Sequence, residues 1–123
     1  MNPGLVRRYT TQDHVTGETT YVTEGVGGVF GEGVIRYDEI NTQVSHSLKR
    51  ELTIRDADPL SARYVLTQSY DLGREGWRTR VTTRAQMHSD RDNFYTSCVL
   101  TAFEDGKAVA TREWNDTIPR DLV

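Results

Sequence analysis

Residues 93–114 read NFYTSCVLTAFEDGKAVATREW, two alternating runs of β-branched, aromatic and small residues joined by Asp105-Gly106. Asp-Gly between such runs is a strong type I′ hairpin signal, because both central positions of that turn need positive φ. The preceding runs at 62–72 and 77–88 show the same period of two, and Gly- and Asp-rich breaks separate them. Residues 62–115 therefore predict three hairpins in succession. Toward the N-terminus, further candidate strands lie at 5–11, 19–24, 29–37 and 44–55, which makes eight, and no window carries an apolar stripe at helical spacing. The fold class is all-β, an antiparallel meander of about eight strands. Eight strands are about the number that closes into a small up-and-down β-barrel, with a two-layer β-sandwich as the alternative.

The composition sets the function classes. A chain of 123 residues is one ordinary domain with one core, expected to span residues 1–123. Its 15 basic and 18 acidic side chains are interspersed and leave a net charge of −3, so neither a nucleic-acid face nor a polybasic membrane anchor is indicated. The single cysteine, Cys98, excludes an internal disulfide framework and fits a reducing compartment. Arg7 and Arg8 have no apolar run behind them, as a signal peptide would require, and no stretch is of membrane-spanning length. The expectation is a cytoplasmic chain.

A register follows if residues 73–76 form a four-residue loop. Leu72 then faces Trp77, and one face collects Tyr64, Leu66, Tyr70, Val81, Thr83, Ala85, Met87, Cys98 and Leu100, continuing through the Asp105-Gly106 turn to Thr111 and Glu113. That face is read as the interior, with Tyr64, Tyr70, Thr83, Cys98 and Glu113 lining a possible ligand cavity. The opposite face begins polar, with Asp71, Ser69, Arg78 and Arg80, then gathers Tyr95, Val99, Phe103, Ala110, Arg112 and Trp114. An apolar patch there is a candidate interface with another domain or a second copy of the chain; cover by the N-terminal segment accounts for it equally. Glu113 fits the interior poorly, since a buried carboxylate is costly unless paired. The favoured reading is a β-bulge near the end of the strand that swings Glu113 outward, which would move Trp114 to the other face as well.

No residue constellation reaches a catalytic signature. The glycine-rich stretch Gly25, Gly27, Gly28, Gly31 and Gly33 lacks the G-x-G-x-x-G spacing, because position 30 is Phe30, and a bent or bulged strand explains it better. His14, His46 and His88 form no metal spacing, none of the six serines sits in G-x-S-x-G, and neither cofactor nor metal is expected. Asp56, Asp58 and Pro59 read as a turn leading into the strand at 62.

Several stretches together carry a family resemblance. Asp58-Pro59-Leu60-Ser61-Ala62-Arg63, Gly76-Trp77-Arg78-Thr79-Arg80, Ser89-Asp90 through Asn93-Phe94-Tyr95, and Arg112-Glu113-Trp114 to Thr117-Ile118-Pro119-Arg120-Asp121-Leu122-Val123 resemble the C-terminal extension of CocE/NonD hydrolases, the X-Pro dipeptidyl-peptidase-like acyl esterases. In that family the Ser, Asp and His triad belongs to an α/β-hydrolase domain whose nucleophile motif has no counterpart here. The resemblance thus implies a noncatalytic accessory β-domain, partnered by a hydrolase domain or by itself as a homodimer, with no catalytic residue to carry over. The alternative is a barrel that binds an apolar small molecule.

Overall fold

A computed structural model of the chain describes residues 5–27 and 34–121, nearly all of them strand. The strands are β1 (Leu5–Gln12), β2 (Glu18–Gly27), β3 (Ile35–Tyr37), β4 (Thr42–Arg55), β5 (Asp58–Arg74), β6 (Trp77–Ser89), β7 (Asn93–Glu104) and β8 (Lys107–Pro119). One 3-10 turn, Asp38–Ile40, links β3 to β4 through Asn41 at φ 49°. Every pairing is antiparallel, in the order β1-β2-β4-β5-β6-β7-β8 with β3 beside β4. The all-β antiparallel meander is present.

The expected barrel does not close, and the sheet has one place fewer than the strand count suggests. β4 gives one edge to β5, and along its other edge it pairs first with β3, from Tyr37↔Thr42 to Ile35↔Val44, and then with β2, from Gly27↔His46 to Glu18↔Arg55. β2 and β3 thus lie end to end and fill one place in the sheet, leaving seven places from β1 to β8. With all neighbours antiparallel, an odd number of places leaves β1 and β8 pointing the same way, whereas an all-antiparallel ring needs an even number. What forms is one layer of the kind that a sandwich needs two of. Of the glycine-rich stretch, Gly25 and Gly27 end β2, while Gly28, Gly31 and Gly33 and the first part of the expected strand at 29–37 lie outside the described residues.

Turn chemistry fixes the register. Asp105 and Gly106 take φ 48° and 80°, as the type I′ signal demands. The β5–β6 turn is shorter than expected. Glu75-Gly76 alone makes it, with Gly76 at φ 79°, so Arg74 faces Trp77 and Leu72 faces Thr79. Gly73, assigned to that loop by sequence, is buried inside β5, where an added Cβ would lie 3.0 Å from Arg78 Cγ and 3.2 Å from the Trp77 carbonyl oxygen. The β6–β7 register is also displaced by two, pairing Ser89 with Phe94 and Ala85 with Cys98. Displacements of two keep every side chain on its expected face. The turn before β5 is Asp56-Ala57, with Ala57 at φ 58°, and the strand already begins at Asp58, whose carboxylate accepts from Arg55 Nη2 at 2.6 Å.

The β7–β8 ladder differs in kind. It starts at Glu104↔Lys107 and Phe103↔Ala108 but resumes at Ala102↔Ala110, leaving Val109 as an extra residue. A single inserted residue exchanges the faces of everything beyond it. Trp114 consequently lies opposite Cys98, and Glu113 lies opposite Val99. A bulge does turn Glu113 outward, but it sits at Val109 near the start of the strand and not near its end as expected, because the extra residue is taken up directly after the Asp105-Gly106 turn.

Candidate interaction face

The ladder pairings sort the side chains into two unlike surfaces. One face is charged and hydroxylated. It carries Arg7–Glu24 at 3.3 Å, Arg63–Glu18 at 3.2 Å, Lys49–Glu51 at 3.3 Å and Arg80–Asp71 at 2.6 Å, together with a Thr20–Thr53 hydroxyl contact of 3.0 Å. The other face carries Tyr21, Leu52, Tyr64, Leu66, Tyr70, Leu72, Val81, Met87, Leu100 and Trp114.

Ordinarily the apolar face of an antiparallel sheet lies against a second layer and the polar face meets water. Here the apolar face is open. Tyr21, Leu52, Tyr70, Leu72, Met87 and Trp114 are each between 38% and 47% exposed. Val22, on the charged face, is the sole buried hydrophobic side chain among the described residues. The chain exposes 9002 Å², against about 6,700 Å² for a compact protein of 14.0 kDa. The sheet's twist hollows the apolar face into a groove of about 430 Å³ lined by Tyr21, Leu52, Ile54, Tyr64, Met87 and Phe94. A smaller hollow of about 260 Å³ beside it is lined by Tyr64, Met87, Cys98, Trp114 and Asp116. His46 stacks on Tyr70 across the same face at 4.2 Å between centroids.

The sequence-derived sites are placed as follows. Tyr64, Tyr70, Thr83 and Cys98, expected inside a lumen, share the apolar face but line an open surface. Glu113 leaves them for the charged face and is exposed. The expected outer patch is divided by the Val109 bulge. Tyr95, Val99 and Phe103 lie on the charged face, and Ala110, Arg112 and Trp114 lie on the apolar one. Sequence reasoning missed Tyr21, Leu52 and Ile54, although the alternation of 44–55 contained the signal for Leu52 and Ile54.

A polar clasp at one end of the sheet, where β6 meets β7, fixes the C-terminal end of β8. The Asp90 carboxylate accepts from Tyr95 Oη at 2.5 Å and from the backbone N–H groups of Asp92 and Asn93 at 2.8 Å. Arg120 donates its backbone N–H to the Asp92 carbonyl and Nη1 to the Asp90 carbonyl, both at 2.9 Å, with its guanidinium 5.0 Å from the Phe94 ring centroid. The Tyr95 hydroxyl first, then the two backbone donors, hold the Asp90 carboxyl below the ordinary value of 3.8. Its folded-state pKa is depressed, so its contribution is complete above 3.8 and is lost as pH falls through the lower folded value. Asp13 is lowered in the same direction by the backbone N–H groups of Val15 and Thr16. Asp90→Asn is expected to flatten the acid limb of stability while leaving Asp13's share. Urea unfolding midpoints followed below pH 4 should converge for the two proteins, and parallel curves would remove Asp90 from the account.

Among the described residues, no group of three His, Cys, Asp or Glu side chains converges as a metal site, and no helix is long and apolar enough to cross a membrane. No protein-family model, no curated protein and no solved structure matches the chain.

Proposed function

We propose that this chain is a noncatalytic interaction domain serving an acyl hydrolase or peptidase of the CocE/NonD kind, with its apolar sheet face as the surface against which the hydrolase packs. The open apolar face carries this reading. A single sheet leaves unburied the surface that a second layer normally covers, and contiguous apolar patches of this extent mark contact sites. The resemblance of residues 58–63, 76–80 and 112–123 supplies the kind of partner. The test is calorimetric titration of the chain into the α/β-hydrolase domain of a CocE/NonD enzyme stripped of its own C-terminal region. A one-to-one complex is expected with the parent chain, and binding weakened at least about tenfold is expected with Met87→Asp. No binding by the parent chain would overturn the reading.

The groove of about 430 Å³ favours a second reading, a site for an apolar small molecule. Saturable uptake of dodecanol, displaced by no protein partner, would favour it over docking.

A further inference from the structure

The outer edge of β8 is unpaired among the described residues, and all thirteen residues of the strand are exposed. Sheet edges of this length are ordinarily blunted by lysine, proline or a bulge, because a row of free N–H and C=O groups recruits another strand. β8 has Lys107 and the Val109 bulge toward one end and Pro119 at the other, and the charges between them, Arg112, Glu113 and Asp116, are of both signs and so can be matched by an incoming strand. Between bulge and proline runs an uninterrupted window from Ala110 to Ile118, whose middle residue is Trp114.

We propose that two copies of this chain pair antiparallel along β8 about a two-fold axis at Trp114, joining their sheets edge to edge. A two-fold axis normal to the sheet keeps each face on its own side, so residues at equal distances from the axis lie opposite one another. Centred on Trp114, the pairing sets Arg112 opposite Asp116 of the other copy twice, Glu113 opposite Asn115, Thr111 opposite Thr117, and the two Trp114 side chains together. Opposite charges facing across strands, paired hydroxyls and adjacent aromatics are the favourable cross-strand combinations. Shifting the axis one residue toward the N-terminus sets Glu113 against itself. Shifting it two sets Arg112 against itself. Moving it one residue the other way leaves Arg112 opposite Ile118. Among the described residues of one copy, neither Arg112 nor Asp116 makes an ion pair, and their ladder partners are the uncharged Leu100 and Thr96. The outer edge of β1, likewise unpaired among the described residues, is a poorer candidate, being shorter and carrying Arg7 and Arg8 in succession.

Edge pairing leaves both apolar faces on one side and uncovered, so it stands independently of the hydrolase reading. Sedimentation equilibrium tests it. The parent chain is expected to form a dimer. Arg112→Asp and Asp116→Arg, which each create two like-charge pairs, are expected to weaken that dimer at least about tenfold. The double exchange Arg112→Asp/Asp116→Arg should restore it, and an equimolar mixture of the two single variants should form a heterodimer. Circular dichroism confirms that each variant keeps its sheet. Opposed residues lie about 4.5–5.5 Å apart at Cα, within disulfide reach, so Trp114→Cys should oxidise to a covalent dimer. That variant is made with Cys98→Ser, because Cys98 is the in-chain neighbour of position 114. A monomeric parent chain, a dimer indifferent to the single exchanges, or an unrestored double exchange would overturn the proposal; hydrolase binding would be unaffected in each case.

Discussion

Val22→Asp is expected to unfold the sheet. Val22 is 4% exposed, lies between Tyr9 of β1 and Glu51 of β4, and neighbours Thr53, which is 7% exposed. A carboxylate placed there would lose its water directly opposite the Glu51 carboxylate, with the neighbouring cations Arg7 and Lys49 already paired to Glu24 and Glu51, and an uncompensated buried charge costs about 3–5 kcal/mol. That is a large part of the roughly 5–15 kcal/mol available to an ordinary domain, and this sheet has little other buried apolar surface to draw on. Loss of the far-ultraviolet strand signal at ambient temperature, or a collapse of the urea midpoint, is the expected result. An unchanged midpoint would mean that the β1–β2–β4 region does not hold the fold.

The same chemical change on the other face should act in the opposite way. Leu52, Leu72 and Met87 are 46%, 38% and 43% exposed, so turning all three into aspartate removes side chains that are already partly in water. Each should alter stability by about 1 kcal/mol or less, while the triple variant reduces binding of an apolar dye by at least about tenfold. Dye fluorescence and thermal midpoint, measured together, separate the two effects. A triple variant that binds dye as the parent does would show that the groove formed by Tyr21, Ile54, Tyr64 and Phe94 suffices, or that the face is covered in solution. Together these two results would place stability and recognition on opposite sides of one sheet.

The fold was legible where backbone chemistry is local. Asp105-Gly106 announced its own turn, and the period-two runs placed β4 through β8 within a few residues. Loop lengths were less legible. The sequence around Gly73 to Gly76 suits a four-residue loop or a two-residue one, and the choice depends on Gly73 packing against Arg78, a contact that exists only once the strands have met. Since that error and its counterpart at 89–94 were displacements of two, the faces survived them. The Val109 bulge was another matter. Nothing in Lys-Ala-Val-Ala-Thr marks which residue is extra, and only the discomfort of Glu113 beside Cys98 signalled that one was. The six residues expected to share one interface consequently lie on two faces. The barrel expectation failed through counting, because residues 29–37 read as a rung of their own, whereas the described part of that segment continues the line of β2 along β4. That lesson concerns topology, where alternation is silent.

The meander also bears on the order in which the molecule is made. Apart from the step from β2 to β4, every ladder on the path joins strands adjacent in the chain, so each new strand meets its partner as soon as it is synthesised. β8 comes last, and its inner edge is satisfied at once by β7, while the clasp from Arg120 to Asp90 and Asp92 secures its far end. The ladders among the described residues can therefore form in cis before any second chain is needed, and of the two outer rows of backbone groups left unpaired among those residues, on β1 and β8, the later-made is that of β8. Edge-to-edge assembly as proposed would then be a separate event, governed by how much of the protein is present rather than by whether it has folded.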